Sequence, residues 1–270
     1  MNLQNIPQEQ DYRTPFSGEE NEWLICADYS GIELVLVIED SKEEVWVKAQ
    51  NEGLDLHMIN AQMTFGMNAW NHAKLPDCTY EEDKKHKCKC PIHGDMRNST
   101  KTVTYASLFG ATGERIGKIL KIGKNAGEAI LKKYFKALPT LRNWMDDIIQ
   151  YAAIYHKIRT FRPYRRTRFF NPDEHPEERA KKAVNARIQG TAADIFKQAC
   201  VNIKQRLVQE GIAHKFRGAV HDEVLLSFQD KETAEIAGPI VREEMKKSGD
   251  LLTKLTKLDV SIVISKHWLK

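Results

Sequence analysis

Gly218-Ala219-Val220-His221-Asp222-Glu223-Val224-Leu225-Leu226 sets two short apolar runs on either side of a polar apex. Consecutive residues on a strand point to opposite faces, so the adjacent acids Asp222 and Glu223 reach one site together only where the chain turns. The stretch therefore predicts a β-hairpin that raises carboxylate at its tip, beside the imidazole of His221. A surface turn with solvated acids is the competing reading of this stretch taken alone. What weighs against it lies elsewhere in the chain. Trp23 to Ala27 is another apolar run, ending in Asp28-Tyr29-Ser30-Gly31-Ile32-Glu33-Leu34, and it supplies a distant acid to complete a site. Between the two stretches lies a helix-like segment with Arg97, Lys101, Tyr105 and Phe109.

A chain of 270 residues is long enough to bury a substantial core, as one large domain or two. Hydrophobic residues make up 41% of it. No apolar run is long enough to span a bilayer, and the start has no signal-peptide pattern. The expectation is a soluble, intracellular protein with no membrane partner, cytoplasmic or nucleoid-associated. A net charge of +4 is too small to argue for nucleic acid by itself. Its distribution says more: Lys84 to Lys89 and Arg159 to Arg168 are basic clusters, whereas acids gather at Glu19, Glu20 and Glu22 and at Glu81-Glu82-Asp83. Five cysteines, an odd count, with three inside thirteen residues, argue against a disulfide framework.

Met1 to Pro15 reads as extended and loop-like, with Pro7 and Pro15 as breakers. A buried strand is expected at Trp23–Ala27, an apolar stretch at Ile32–Ile38, and helix from Glu43 to Asn51. Gly53 to His57 turns into a further helix that reaches about Trp70. Gly110 and Gly113 mark the end of the helix that begins near Arg97. Two helices fill Gly117 to Tyr155, broken at Leu138-Pro139-Thr140. Glu177 to Glu210 is a long helix, Lys231 to Lys247 a charged amphipathic one, and Leu258 to Ile264 a closing strand.

Asn71 to Asp95 breaks the regular pattern and carries Cys78, Cys88, Cys90 and His93, with His72 and His86 nearby. Cys88-x-Cys90-x2-His93 packs three soft or borderline ligands together, and Cys78 offers a fourth. Zinc binds such sets tetrahedrally and can fold an insertion too short for its own core. A Lys-rich loop with free thiols is the alternative.

Arg97, Lys101 and Tyr105 recur at i, i+4 and i+8. At about 100° per residue each step drifts by only about 40°, so they share one helix face. Two cations followed by a ring suit a triphosphate with a base beyond it; a solvated helix with a core tyrosine is the plainer account. Arg159, Arg162, Arg165, Arg166 and Arg168 alternate with Phe161 and Tyr164, a strip suited to phosphate contact or to a solvated hairpin. Asn185 and Gln189, at i and i+4, can read minor-groove acceptors or simply face water.

Taken together and in order, these stretches resemble the polymerase module of family A DNA polymerases, the bacterial DNA polymerase I type, over nearly the whole chain. Asn2-Leu3-Gln4-Asn5-Ile6-Pro7 is similar to that family's entry motif, and Asp28 to Leu34 to its motif A. Arg97-x3-Lys101-x3-Tyr105-x3-Phe109-Gly110 is similar to motif B. Asn185 to Asp194 is similar to the helix that follows, and Val220-His221-Asp222-Glu223 to motif C. The resemblance implies an α+β fold: an antiparallel palm sheet flanked by helices, with an inserted, mainly helical fingers domain. The palm would comprise residues 1–40 and 176–270, and the fingers 41–175 with a Cys/His-containing insertion at about 71–95.

The same resemblance implies the roles. Asp28 and Asp222 would hold two Mg2+ ions, with Glu223 assisting. Arg97 and Lys101 would neutralise phosphate charge, Lys101 doubling as proton donor to pyrophosphate. Tyr105 would stack near the incoming sugar and base, Phe109 near the template base, and Glu33 would close the space beside the 2′ carbon. His221 would approach the primer end, and Asn185 and Gln189 the minor groove, while Arg165 and Arg166 belong to the basic strip on the DNA. Cys78, Cys88, Cys90 and His93, the candidate zinc set, match nothing in the family pattern. Gly31, Val35, Ala106 and Phe109 depart from it, where glutamine, arginine, glycine and tyrosine are usual.

Primer–template DNA and deoxynucleoside triphosphates are the implied partners. Because the resemblance starts at the entry motif, a thumb or exonuclease is expected on a separate chain, or on the rest of a protein of which this is a fragment; a phage-encoded origin for this chain is among the expectations. A catalytically inactive relative and a single-subunit RNA polymerase relative are the alternatives, the latter disfavoured by Glu33.

Overall fold

The computed structural model describes residue 6, residues 10–72, residue 78 and residues 90–269, with His72 described through its backbone only. The entry motif apart from Ile6, the Lys84–Lys89 cluster and Cys88 lie outside the described residues. Along the chain, α1 (Gln10–Arg13) precedes β1 (Trp23–Tyr29), α2 (Ile32–Ser41) and α3 (Glu44–Asn51). Next come α4 (Leu56–Phe65), α5 (Met67–His72), α6 (Pro91–Leu108) and α7 (Gly113–Leu120). They are followed by α8 (Lys124–Ala137), α9 (Pro139–Tyr155), β2 (Lys157–Arg159), β3 (Thr167–Phe169) and α10 (Pro176–Gln209). The last elements are β4 (Lys215–Val220), β5 (Glu223–Phe228), α11 (Lys231–Asp250) and β6 (Val260–Ser265). The fold is α+β, and the chain divides into two compact units.

The first unit comprises Met1–Leu36, Phe161–Tyr164 and Gln189–Lys270. Its sheet has the order β4-β5-β1-β6 and is antiparallel throughout. β1 is central, and every residue from Leu24 to Tyr29 is buried, so both of its faces are covered. One face meets α11, where the Tyr29 hydroxyl donates to the Met245 carbonyl at 2.7 Å. The opposite face contributes Leu24 and Cys26 to a core with Val220, Leu225 and Trp268. Burial pushes the Cys26 thiol up to about 12, so this sulfur serves as a small core hydrophobe.

The second unit comprises Val37–Thr160 and Arg165–Ile188. Polar groups fix α6 within it. The Trp46 indole donates to Asn60 Oδ1 at 2.8 Å, and Asn60 Nδ2 donates to Thr104 Oγ1 at 3.3 Å. This chain ties α3 and α4 to α6. α7 and α8 meet through a glycine seam: a Cβ at Gly127 would lie 2.1 Å from the Gly113 carbonyl oxygen, and one at Gly117 2.1 Å from that of Gly123. Only hydrogen fits there.

The main differences from the sequence expectation are local. The helix expected to reach about Trp70 breaks at Gly66, whose φ of 89° ends α4 before α5 begins. α1 interrupts the segment expected to be loop-like. α6 starts at Pro91, because proline at the first helical position lacks only an N–H that would have no partner anyway. α7 starts at Gly113, where Thr112 caps it by accepting from the Arg115 amide, so that glycine opens a helix.

Candidate active site

The β4–β5 hairpin closes through two residues, His221 and Asp222, between the paired Val220 and Glu223. A two-residue antiparallel turn matched to strand twist needs positive φ, and His221 supplies it at φ 57°. On the neighbouring strand, Asp28 stands opposite Glu223. Strands are spaced about 5 Å apart, so Asp222, one residue before that partner, follows Asp28 at the same end of the sheet. Asp28 is 8% exposed, and Asp222 is half-buried. Hard carboxylate oxygens from a strand and the adjoining turn form a donor set that suits a small divalent cation.

Glu223 is engaged differently. Its Oε1 accepts from the Trp268 indole N–H at 2.9 Å, and its Oε2 meets Arg13 Nη1 at 3.3 Å. The Arg13 guanidinium in turn lies 4.2 Å from the centre of the Trp268 ring. The three residues bind one another beneath the hairpin, and sequence reading singled out neither Arg13 nor Trp268. No local signal marks them, since 210 residues separate Arg13 from Glu223.

β1 passes into α2 through Gly31, whose φ is +66° and whose carbonyl accepts from Leu34 and Val35. This turn places Glu33 in the first turn of α2, close behind Asp28 in the chain. Burial raises the Glu33 carboxyl above its usual range, while a hydrogen bond from Gln189 and the nearby His221 oppose that shift. Glu33, Gln189 and His221 therefore form one group.

In the second unit, the buried side of α6 carries His93, Thr100, Val103, Thr104 and Ser107. Arg97 is half-buried, Lys101 exposed and Tyr105 half-buried, along the margin of that buried side. Arg97 Nε donates to Asp55 Oδ2 at 2.8 Å, and Asp55 Oδ1 caps α4 by accepting from the Met58 amide. His57, on the first turn of α4, lies 6.2 Å from Tyr105 between ring centroids. Burial first, and the Arg97 charge second, lower its imidazole to about 4, so a neutral ring sits beside two cations. Tyr105 and Phe109 lie 6.5 Å apart.

Arg165 and Arg166 are exposed on the β2–β3 hairpin. Arg187 anchors that hairpin, donating to the Arg159 carbonyl at 3.1 Å while gripping the Asp40 carboxylate through Nε and Nη2. Trp144 Nε1 donates to the same carboxylate at 2.7 Å. Asn185 is half-buried on α10, one turn before the exposed Gln189. Cys78, Cys90 and His93 gather in the second unit, while Cys88 lies outside the described residues.

A family model, "DNA polymerase family A", matches residues 1–270. The DNA polymerase I of Streptococcus pneumoniae serotype 4 is 30% identical over 265 residues, covering 94% of this chain and 28% of its own length. The thermostable DNA polymerase I of Thermus filiformis is 30% identical over 279 residues, covering all of this chain and 30% of its own. Among solved structures, the POL domain of Pol1 from M. smegmatis, in complex with DNA primer-template and dNTP, superposes with a TM-score of 0.80 at 26% identity. That match covers 99% of this chain and 44% of the other. The chain thus spans less than a third of the length of these curated relatives. With the motifs in order and the model matched from end to end, the chain belongs to DNA polymerase family A.

Proposed function

We propose that this chain is the catalytic part of a template-directed DNA polymerase, which adds deoxynucleotides to a primer 3′ end. Residues 1–40 and 176–270 would act as the palm and 41–175 as the fingers. The observation that carries the reading is the register that sets Asp28 across from Glu223, with Asp222 in the adjoining turn. Family A polymerases use divalent metal ions, and two Mg2+ ions are the assignment favoured by an all-carboxylate donor set. When bound, magnesium would supply the positive charge that favours ionisation of the primer hydroxyl and departure of pyrophosphate.

The chain's own residues would do the rest. Asp28, fixed in a central strand, and Asp222, carried by the turn, would hold the ions. Glu223 would position the turn through Arg13 and Trp268. Arg97 and Lys101 would neutralise triphosphate charge as it builds on the leaving group, Lys101 donating the proton. Tyr105 and Phe109 would offer aromatic faces to the base pair. Glu33, held by Gln189, would fill the space a ribose 2′-hydroxyl needs. His221 would meet the primer end. Asn185 and Gln189 would accompany the minor groove, and Arg165 and Arg166 the phosphates. Primer–template DNA and deoxynucleoside triphosphates are the proposed partners, with a thumb or exonuclease contributed by a separate chain or by further sequence.

Primer extension with magnesium and dNTPs, run with and without an added thumb chain, tests this reading. Asp28→Asn and Asp222→Asn should each reduce extension by about 10²–10³-fold or more, with duplex binding retained in fluorescence anisotropy. Extension absent in both arrangements, or undiminished in both variants, would overturn it. Incorporation of rNTPs in preference to dNTPs would point instead to an RNA polymerase relative.

A further inference from the structure

Cys78, Cys90 and His93 bring three soft or borderline donors together in the second unit, apart from the motifs that the polymerase reading uses. Their ligand atoms all lie within 4.8 Å of one another. Cys78 Sγ is 3.2 Å from His93 Nδ1. Cys90 is fully buried, His93 is 1% exposed, and Cys78 is half-buried. A tetrahedral zinc with bonds of about 2.3 Å to sulfur and about 2.05 Å to nitrogen needs edges of about 3.8 Å between sulfurs and about 3.5 Å from sulfur to nitrogen. The cluster is close to that size already.

The histidine is also set up to ligate. Its Nε2 lies 2.8 Å from the Trp70 carbonyl oxygen. A carbonyl only accepts, so Nε2 carries the proton and Nδ1 presents its lone pair to Cys78. The Trp70 ring stacks flat on the imidazole, 3.8 Å away at 1°, and holds its plane. This is the supporting arrangement that metal-bound histidines use: the second nitrogen donates to a carbonyl, fixing both tautomer and orientation. A core that merely stored thiols beside Met58, Ala61 and Trp70 would not need a buried imidazole turned towards them.

We propose that Cys78, Cys90 and His93 bind one structural zinc ion. Cys90 is the residue immediately before α6, and His93 lies in its first turn. Zinc would therefore fasten Cys78 to the start of the helix that carries Arg97, one turn after His93. Its contribution would be to folding, because thiolate and imidazole ligation links the metal to the folded state.

Metal analysis of the full chain, purified without chelators, should find about one zinc per chain. Cobalt substitution should give thiolate-to-cobalt charge transfer and the visible bands of a tetrahedral ion. Cys78→Ser and His93→Gln should each lower zinc affinity at least tenfold, whereas Cys26→Ser and Cys200→Ser leave it unchanged. Cys78 is half-buried, so its serine variant keeps the fold testable if His93→Gln does not fold. Folded wild-type chain that takes up no zinc or cobalt would overturn the proposal, as would full zinc content in the Cys78→Ser, His93→Gln double variant.

Discussion

The indole N–H of Trp268 donates to Glu223 Oε1 at 2.9 Å, and so joins the end of the chain to the strand that follows the His221–Asp222 turn. The side chains of Arg13 and Glu223 are 5% and 3% exposed, so the ion pair is desolvated on both sides. Burying two charges is costly unless each oxygen and proton is met. Here Trp268 meets one carboxylate oxygen and Arg13 the other.

Removing one partner should cost more than removing both. Arg13→Met leaves a buried carboxylate with only the indole, and should destabilise the protein by about 3–5 kcal/mol. Adding Glu223→Gln should restore much of the loss, since the amide oxygen still accepts from Trp268. Urea unfolding of the three chains measures this. An Arg13→Met cost under about 1 kcal/mol would show that the pair does not hold the turn.

The glycine seam predicts a sharp asymmetry between glycines. Gly127→Ala forces a methyl to within 2.1 Å of a carbonyl oxygen in α7, and overpacking of this kind costs about 1–3 kcal/mol or more. Gly218→Ala, with open space around the new methyl and no positive φ, should stay within about 0.5 kcal/mol of wild type. Thermal unfolding separates the two, and equal melting temperatures would refute the close approach.

Acid should act in two windows. His57 sits at about 4 in the folded protein, below its unfolded value near 6.5. As pH falls between those values the unfolded chain gains a proton that the folded one refuses, so stability drops. Glu22 is held at about 2, chiefly by its hydrogen bond from Lys215 and also by Arg217. Its contribution is complete above about 4.5 and is lost as pH falls towards 2. His57→Gln should flatten the first window and Glu22→Gln the second, as read from denaturation midpoints at a series of pH values. A profile unchanged in either variant would exclude that group.

Glu33 should govern sugar choice if the proposed function holds. Glu33→Ala removes the carboxylate that meets Gln189 and should raise ribonucleotide incorporation roughly 10–100-fold relative to wild type, with dNTP use less affected. Single-nucleotide incorporation assays decide it; an unaltered ratio would place the discrimination elsewhere.

The carboxylate pair was legible because its signals are short in range. Alternating apolar residues on either side of a two-residue polar apex specify a hairpin, and an apolar run ending in an acid specifies a strand that delivers it. The helix face of Arg97, Lys101 and Tyr105 was equally legible from its period. What holds those residues was not. Asp55 meets Arg97 from 42 residues away and Asp40 meets Arg187 from 147, and neither acid sits in a pattern that announces its partner. Glu223 read as a second acid of the turn, whereas the fold engages both its oxygens with Arg13 and Trp268. Complementary charges can be found in a sequence, but their pairing depends on how distant segments pack.

The two aspartates differ in how firmly the backbone holds them. Asp28 belongs to a strand bonded to neighbours on both sides, β5 and β6, whereas Asp222 rides a two-residue turn whose first member is left-handed. Amide hydrogen exchange should therefore be slow through Ala27 and Asp28 and much faster at the tip. Under the proposed function, one carboxylate would be a fixed anvil and the other an adjustable jaw, able to settle on a reactant of varying shape without loosening the sheet.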